Sequence, residues 1–133
     1  MLLIDSQGNL LAVKVFEANH HDGPLAAKWW QQLLRDYGLF EDVRVIKADH
    51  HFGGVFKSQV ERDADIRVEI STELVEKASQ QTMPVHKVRW VVERTIAWES
   101  ASRRLARDYE RLTESSEACC LISAIPRLIR NPV

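Results

Sequence analysis

Sulfur is scarce in this chain: its only two cysteines, Cys119 and Cys120, are adjacent. Adjacency strains a mutual disulfide and matches no metal-ligand spacing, so neither a disulfide framework nor a cysteine metal site is expected. The pattern suits a reducing, cytoplasmic compartment. Charge of one sign is lacking too, since 18 Lys and Arg against 19 Asp and Glu give a formal net charge of −1. The surface as a whole therefore does not attract nucleic acid or anionic membrane, and any such partner has to be met by a local basic patch. Long apolar runs are missing as well. The opening MLLIDSQGNLLAVKV has no basic leader and meets Asp5 after three apolar residues, which excludes a signal peptide or a membrane span there. No internal repeat or low-complexity tract is present. What remains, 133 residues of which 45% are hydrophobic and 28% charged, is the balance of one globular domain or a large piece of one.

Two apolar runs, Leu2 to Ile4 and Leu10 to Phe16, flank Ser6-Gln7-Gly8-Asn9 and predict a β-hairpin. The chain thus opens inside a sheet, and further strands are expected upstream of it. Asn19 to Pro24 is rich in turn formers, and Leu25 to Tyr37 carries Trp29, Leu33 and Leu34 at helical spacing up to Gly38. Asp22 or Gly23 is placed to cap that helix, with Pro24 in its first turn. Val43 to Ala48 is a β-branched strand ending at Asp49; His50-His51-Phe52-Gly53-Gly54 then turns the chain into a helix from Val55 to Asp63, and Ile66 to Ile70 is another strand. The order is α/β. Ser71 to Pro84 reads as a connection with at most one helical turn. Neither Gly nor Pro occurs from Val85 to Arg111, which predicts one long helix, and a last helix spans Ser115 to Arg130 with Pro126 able to kink it.

Two acids stand out. Asp49 ends a strand, at the edge where α/β sheets bind ligands; Glu93 lies in RWVVERTIAW beside Val91, Val92 and Ile96. Mg²⁺ requires hard oxygen ligands converging from separate elements, and two carboxylates on a strand end and a helix can supply them. Each has an ordinary alternative. Asp at a strand end is often a turn or cap residue, and Glu93 has Arg89 four positions before it, the spacing of an exposed helical ion pair.

The strings Ile46-Lys47-Ala48-Asp49-His50-His51-Phe52-Gly53-Gly54 and Trp90-Val91-Val92-Glu93-Arg94-Thr95-Ile96-Ala97-Trp98 resemble the second-aspartate and glutamate motifs of DDE transposases from bacterial insertion sequences. Arg103 to Glu110 resembles the basic continuation of the glutamate helix, and Leu3 to Val13 with Ala18 to Asp22 resembles the second and third strands and following loop. The resemblance implies a ribonuclease H-like α/β fold: one mixed sheet with flanking helices, made of a hairpin over 2–16, strand and helix units over 24–70, and a glutamate-bearing helical region over 85–130. It implies Mg²⁺ or Mn²⁺ as cofactor, Asp49 and Glu93 as catalytic metal ligands, Arg89 as support for the site and DNA backbone, and DNA, both element ends and target, as substrate. Self-association, or association with a complete transposase, is the implied protein partnership, and a membrane is not implied.

No position among these residues matches the family's first catalytic aspartate; Asp5 matches the turn of the hairpin. His51-Phe52 stands where Gly-Tyr is usual, and His86, Glu99, Ser100 and Ser102 also depart from the pattern. The expectation is a truncated copy, inactive alone in metal-assisted strand cleavage and transfer. The rival expectation is a non-catalytic remnant that binds DNA or interferes with a transposase. Between Lys87 and Arg111 the basic residues Lys87, Arg89, Arg94, Arg103, Arg104, Arg107 and Arg111 outnumber Glu93, Glu99, Asp108 and Glu110, so this segment is the candidate DNA contact. The pairs His20-His21 and His50-His51 lack zinc-site spacing. Trp29-Trp30 is expected to be half core and half surface rather than a base-stacking platform.

Overall fold

The computed structural model describes residues 1–17, 19–37, 42–71, 85–107 and 109–130. The chain forms two compact units, one of residues 1–17 with 86–133 and one of residues 18–85.

In the first unit, β1 (Leu2–Ile4) pairs antiparallel with β2 (Leu10–Val13), with an irregularity between Leu3 and Ile4. The turn is built by Asp5, whose carboxylate accepts from the Gln7 and Asn9 amides and from the Asn9 side chain, each at 2.8 Å. Gly8 has φ of +84°, a left-handed conformation that glycine adopts without strain. Two helices complete the unit, α3 (Val85–Ser100) and α4 (Thr113–Arg130). The α4 side chain of Glu117 accepts from the Val15 amide at 3.0 Å and pairs with Lys14, tying α4 to the strand end.

The expected helix over 85–111 is a correction. It stops at Ser100, and 101–107 follows as turns, with the Ser102 amide bonded to Glu99 and the Leu105 and Ala106 amides bonded to Ser102. Two serines, Ser100 and Ser102, stand at the stop. The Ser100 hydroxyl donates to the Ile96 carbonyl at 2.9 Å, and serine generally competes with the ladder through such local bonds. Absence of Gly and Pro was insufficient to prolong the helix. The last helix, by contrast, runs through Pro126.

In the second unit, α1 (Asp22–Tyr37) begins three residues before the expected Leu25 and packs on α2 (Val55–Asp63). Trp30 meets Phe56 edge to face at 6.5 Å between centroids, and Phe52 meets Phe56 at 5.7 Å. Trp29 and Trp30 are both buried, so the expected half-exposed pair is wholly core. β3 (Val45–Ala48) and β4 (Arg67–Ile70) pair in parallel around the crossover helix α2, with Val60, Val68 and Ile70 buried together with Phe56 in that core. Among the described residues the strands therefore form two two-stranded sheets, one antiparallel and one parallel, in place of a single mixed sheet. Each strand is only three or four residues long, and each ladder is completed inside its own unit. The segment 72–84, expected to be a connection, lies outside the described residues.

Candidate metal and nucleic-acid site

The parallel register pairs Ala48 with Ile70, so the residues that follow, Asp49 and Ser71, emerge side by side at the carboxyl edge of the β3–β4 ladder. Asp49 is extended, with φ −71° and ψ 163°, and caps a 3₁₀ turn over His50–Phe52. Asp is favoured there because its carboxylate accepts an otherwise unpaired amide at the start of a helical turn. Three donors converge on the same oxygen: Oδ1 accepts from the His50 amide at 2.8 Å, the His50 Nδ1 at 3.0 Å and the Ser71 hydroxyl at 3.1 Å. The His50 amide leads, followed by its imidazole, in holding the Asp49 carboxyl below its ordinary range; partial burial opposes them, and the Ser71 hydroxyl adds a smaller lowering effect. Asp49 is thus an ionised, oriented carboxylate with a side chain 63% exposed.

The same turn gathers nitrogen ligands. Potential ligand atoms of Asp49, His50 and His51 all lie within 4.8 Å of one another, and the two imidazole centroids are 3.7 Å apart. Adjacency in sequence suggested no such cluster; the tight turn produces it. Gly23, at the start of α1, allows this packing, since a Cβ there would sit 3.2 Å from the His51 carbonyl oxygen.

Glu93 lies on α3 in the other unit. Its Oε1 accepts from Arg89 Nε at 3.1 Å across one helical turn, with side chains 61% and 80% exposed respectively. Of its apolar neighbours, Val92 and Ile96 are exposed and Val91 is half-buried. The buried residues of this helix from Arg89 onward are instead polar, Thr95 and Glu99. Thr95 donates to the carbonyl oxygen of Gly8 at 2.9 Å, and Glu99 bonds the Ser123 hydroxyl of α4.

The arginines divide into two groups. Arg94 is half buried, lies 4.4 Å from the centroid of Trp90 and 4.5 Å from that of Trp98, and donates to the Gln7 carbonyl at 2.6 Å. Its charge is engaged within the fold. Arg103, Arg104 and Arg107 are exposed on the turns after α3, Arg104 pairing with Glu110 at 3.4 Å. They do not form one stripe with Arg89 along a single helix.

A family model for the transposase DDE domain matches residues 49–127, more than half of the chain. The chain belongs to this DDE transposase family. No curated protein and no solved structure matches it. The transposase match begins at Asp49 and takes in Arg89, Glu93, Arg94, Arg103, Arg104 and Arg107, while the hairpin lies before it. No helix among the described residues is long and apolar enough to cross a membrane.

Reading the transposase motifs alone missed Ser71, Thr95 and Arg127. Ser71 was recoverable, because two strands of equal length in parallel bring their next residues together. Thr95 and Arg127, whose partners are backbone carbonyls of the hairpin turn far away in sequence, left no local signal.

Proposed function

We propose that this chain carries the second-aspartate and glutamate segments of a ribonuclease H-like transposase catalytic domain, with Asp49 and Glu93 as divalent-metal ligands and DNA as substrate. The observation that carries the reading is the Asp49 carboxylate, ionised and oriented at the carboxyl edge of a parallel strand pair, where α/β proteins bind ligands.

The residues fit a hard dication. Among the described residues, the three hydrogen bonds to Asp49 fall on Oδ1. When bound, such an ion neutralises charge developing on a phosphoryl group and lowers the pKa of an attacking water. The chain's own contribution is to hold the carboxylates. Ser71 and His50 orient Asp49, and Arg89 holds Glu93 while adding positive charge beside it.

The catalytic set of the family has three carboxylates, and these residues supply two. Asp5 does not stand in for the third, because both of its oxygens are engaged in the hairpin turn. Phosphoryl transfer depends on preorganised charge, so cutting by this chain alone should be lost. The rival reading, DNA binding without chemistry, is favoured by the exposed Arg103 and Arg107. Both are addressed by incubating the chain with supercoiled plasmid and Mn²⁺ beside Asp49→Asn, following nicking and binding at several salt concentrations. The expected outcome is weak, salt-sensitive binding with no nicking that depends on Asp49. Nicking abolished by Asp49→Asn would refute the inactive reading, and absence of binding at low salt would refute the DNA contact.

A further inference from the structure

Three donors from two helices meet two successive carbonyls of the hairpin turn. Arg94 Nη2 donates to Gln7 at 2.6 Å, and Thr95 Oγ1 and Arg127 Nη2 donate to Gly8 at 2.9 and 2.7 Å. Thr95 is fully buried, and it also donates to the Val91 carbonyl of its own helix. The fit is tight, because a Cβ on Gly8 would lie 2.8 Å from the Thr95 hydroxyl and 3.1 Å from Arg94. Trp98 is shared by the two cations, Arg94 at 4.5 Å and Arg127 at 4.4 Å from its ring centroid.

We infer that the Gln7–Gly8 turn is a clamp that fixes the rotational setting of α3, and that Thr95 and Arg127 are positioning residues for Glu93. An apolar stripe normally sets how a helix is turned about its axis. Here Trp90, Val92, Ile96 and Trp98 are exposed, and Thr95 and Glu99 are the buried residues from Arg89 onward. Directional polar contacts therefore set the rotation, and hydrogen bonds weaken steeply away from their preferred angle. Glu93 lies two residues before Thr95, about 200° around the helix at ~100° per residue. Seating Thr95 on the turn thus directs Glu93 to the opposite side. Without the clamp, the exposed apolar faces provide little to resist rotation of the helix and its carboxylate.

This role of Thr95 and Arg127 rests on Glu93 being a metal ligand, and its test separates the two ideas. In the full chain with Cys119→Ser and Cys120→Ser, nitroxides at Leu11→Cys and Glu93→Cys report the setting of α3 by electron paramagnetic resonance. One narrow distance is expected. Thr95→Val removes the hydroxyl at nearly constant shape and should broaden or split it, Thr95→Ser should restore it, and Arg127→Lys should act like Thr95→Val. In unlabelled chain, Mn²⁺ affinity should fall about tenfold in Thr95→Val and recover in Thr95→Ser, the size typical of losing a group that orients a metal ligand. An unchanged distance distribution in both Thr95→Val and Arg127→Lys overturns the clamp, as does a serine variant as disordered as the valine. Broadened distances with Mn²⁺ binding indifferent to Glu93→Gln would uphold the clamp and overturn the metal assignment.

Discussion

At Asp49 a single carboxylate oxygen takes three hydrogen bonds, and its acidity reports whether they exist in solution. The folded carboxyl titrates below its ordinary value, so the ionised form is favoured by folding. The sign follows: the stabilisation is fully present above the unfolded pKa of about 3.9 and is lost as pH falls through the lower folded value. Carboxyl-carbon NMR of the metal-free chain should place the Asp49 midpoint below 3.8, with His50→Ala and Ser71→Ala each moving it upward. A midpoint at or above the ordinary value would remove the argument for an oriented ligand. Gly8 gives the second residue-scale expectation. With φ at +84° and the Thr95 hydroxyl 2.8 Å from where a Cβ would stand, Gly8→Ala should cost about 1 to 3 kcal/mol, measured by urea denaturation. Its hydrogen-exchange signature should fall within residues 1–17 and 86–130, the unit that contains the turn. The Asp49 cap, the Arg89–Glu93 ion pair and the Asp5 turn were legible in the sequence because each depends on local spacing. Thr95 was not, since its meaning comes from a partner 87 residues away.

Among the elements, α2 was legible to the residue, Val55 to Asp63, because the Gly53-Gly54 turn precedes it and Phe56 and Val60 carry its buried face. β3 ended at Ala48 as read, before the Asp49 cap, although it begins at Val45 and not Val43. The long helix was not legible. Several of its apolar positions are exposed, and turns follow it after Ser100, whose hydroxyl bonds the Ile96 carbonyl. Element-scale stability is expected to concentrate where burial is complete. Val60 is fully buried on α2, the crossover between the parallel strands, so Val60→Ala should destabilise by about 2 to 3 kcal/mol, with faster exchange in β3 and β4. A change under about 0.5 kcal/mol, the range of ordinary surface substitutions, would show that this core is not formed as described.

For the whole molecule, Asp49 lies in the unit of residues 18–85 and Glu93 in the unit containing residues 86–133. Membership of the DDE transposase family covers both residues, because the matched segment runs from 49 to 127. The central claim is that Asp49 and Glu93 are both metal ligands. Mn²⁺ titrated into the isotopically labelled full chain tests this most directly, through paramagnetic broadening of backbone amides. The account predicts that amides around Asp49 and around Glu93 broaden, and that Asp49→Asn and Glu93→Gln each suppress the broadening around the substituted residue. Broadening confined to Asp49, His50 and His51 and unaffected by Glu93→Gln would contradict it.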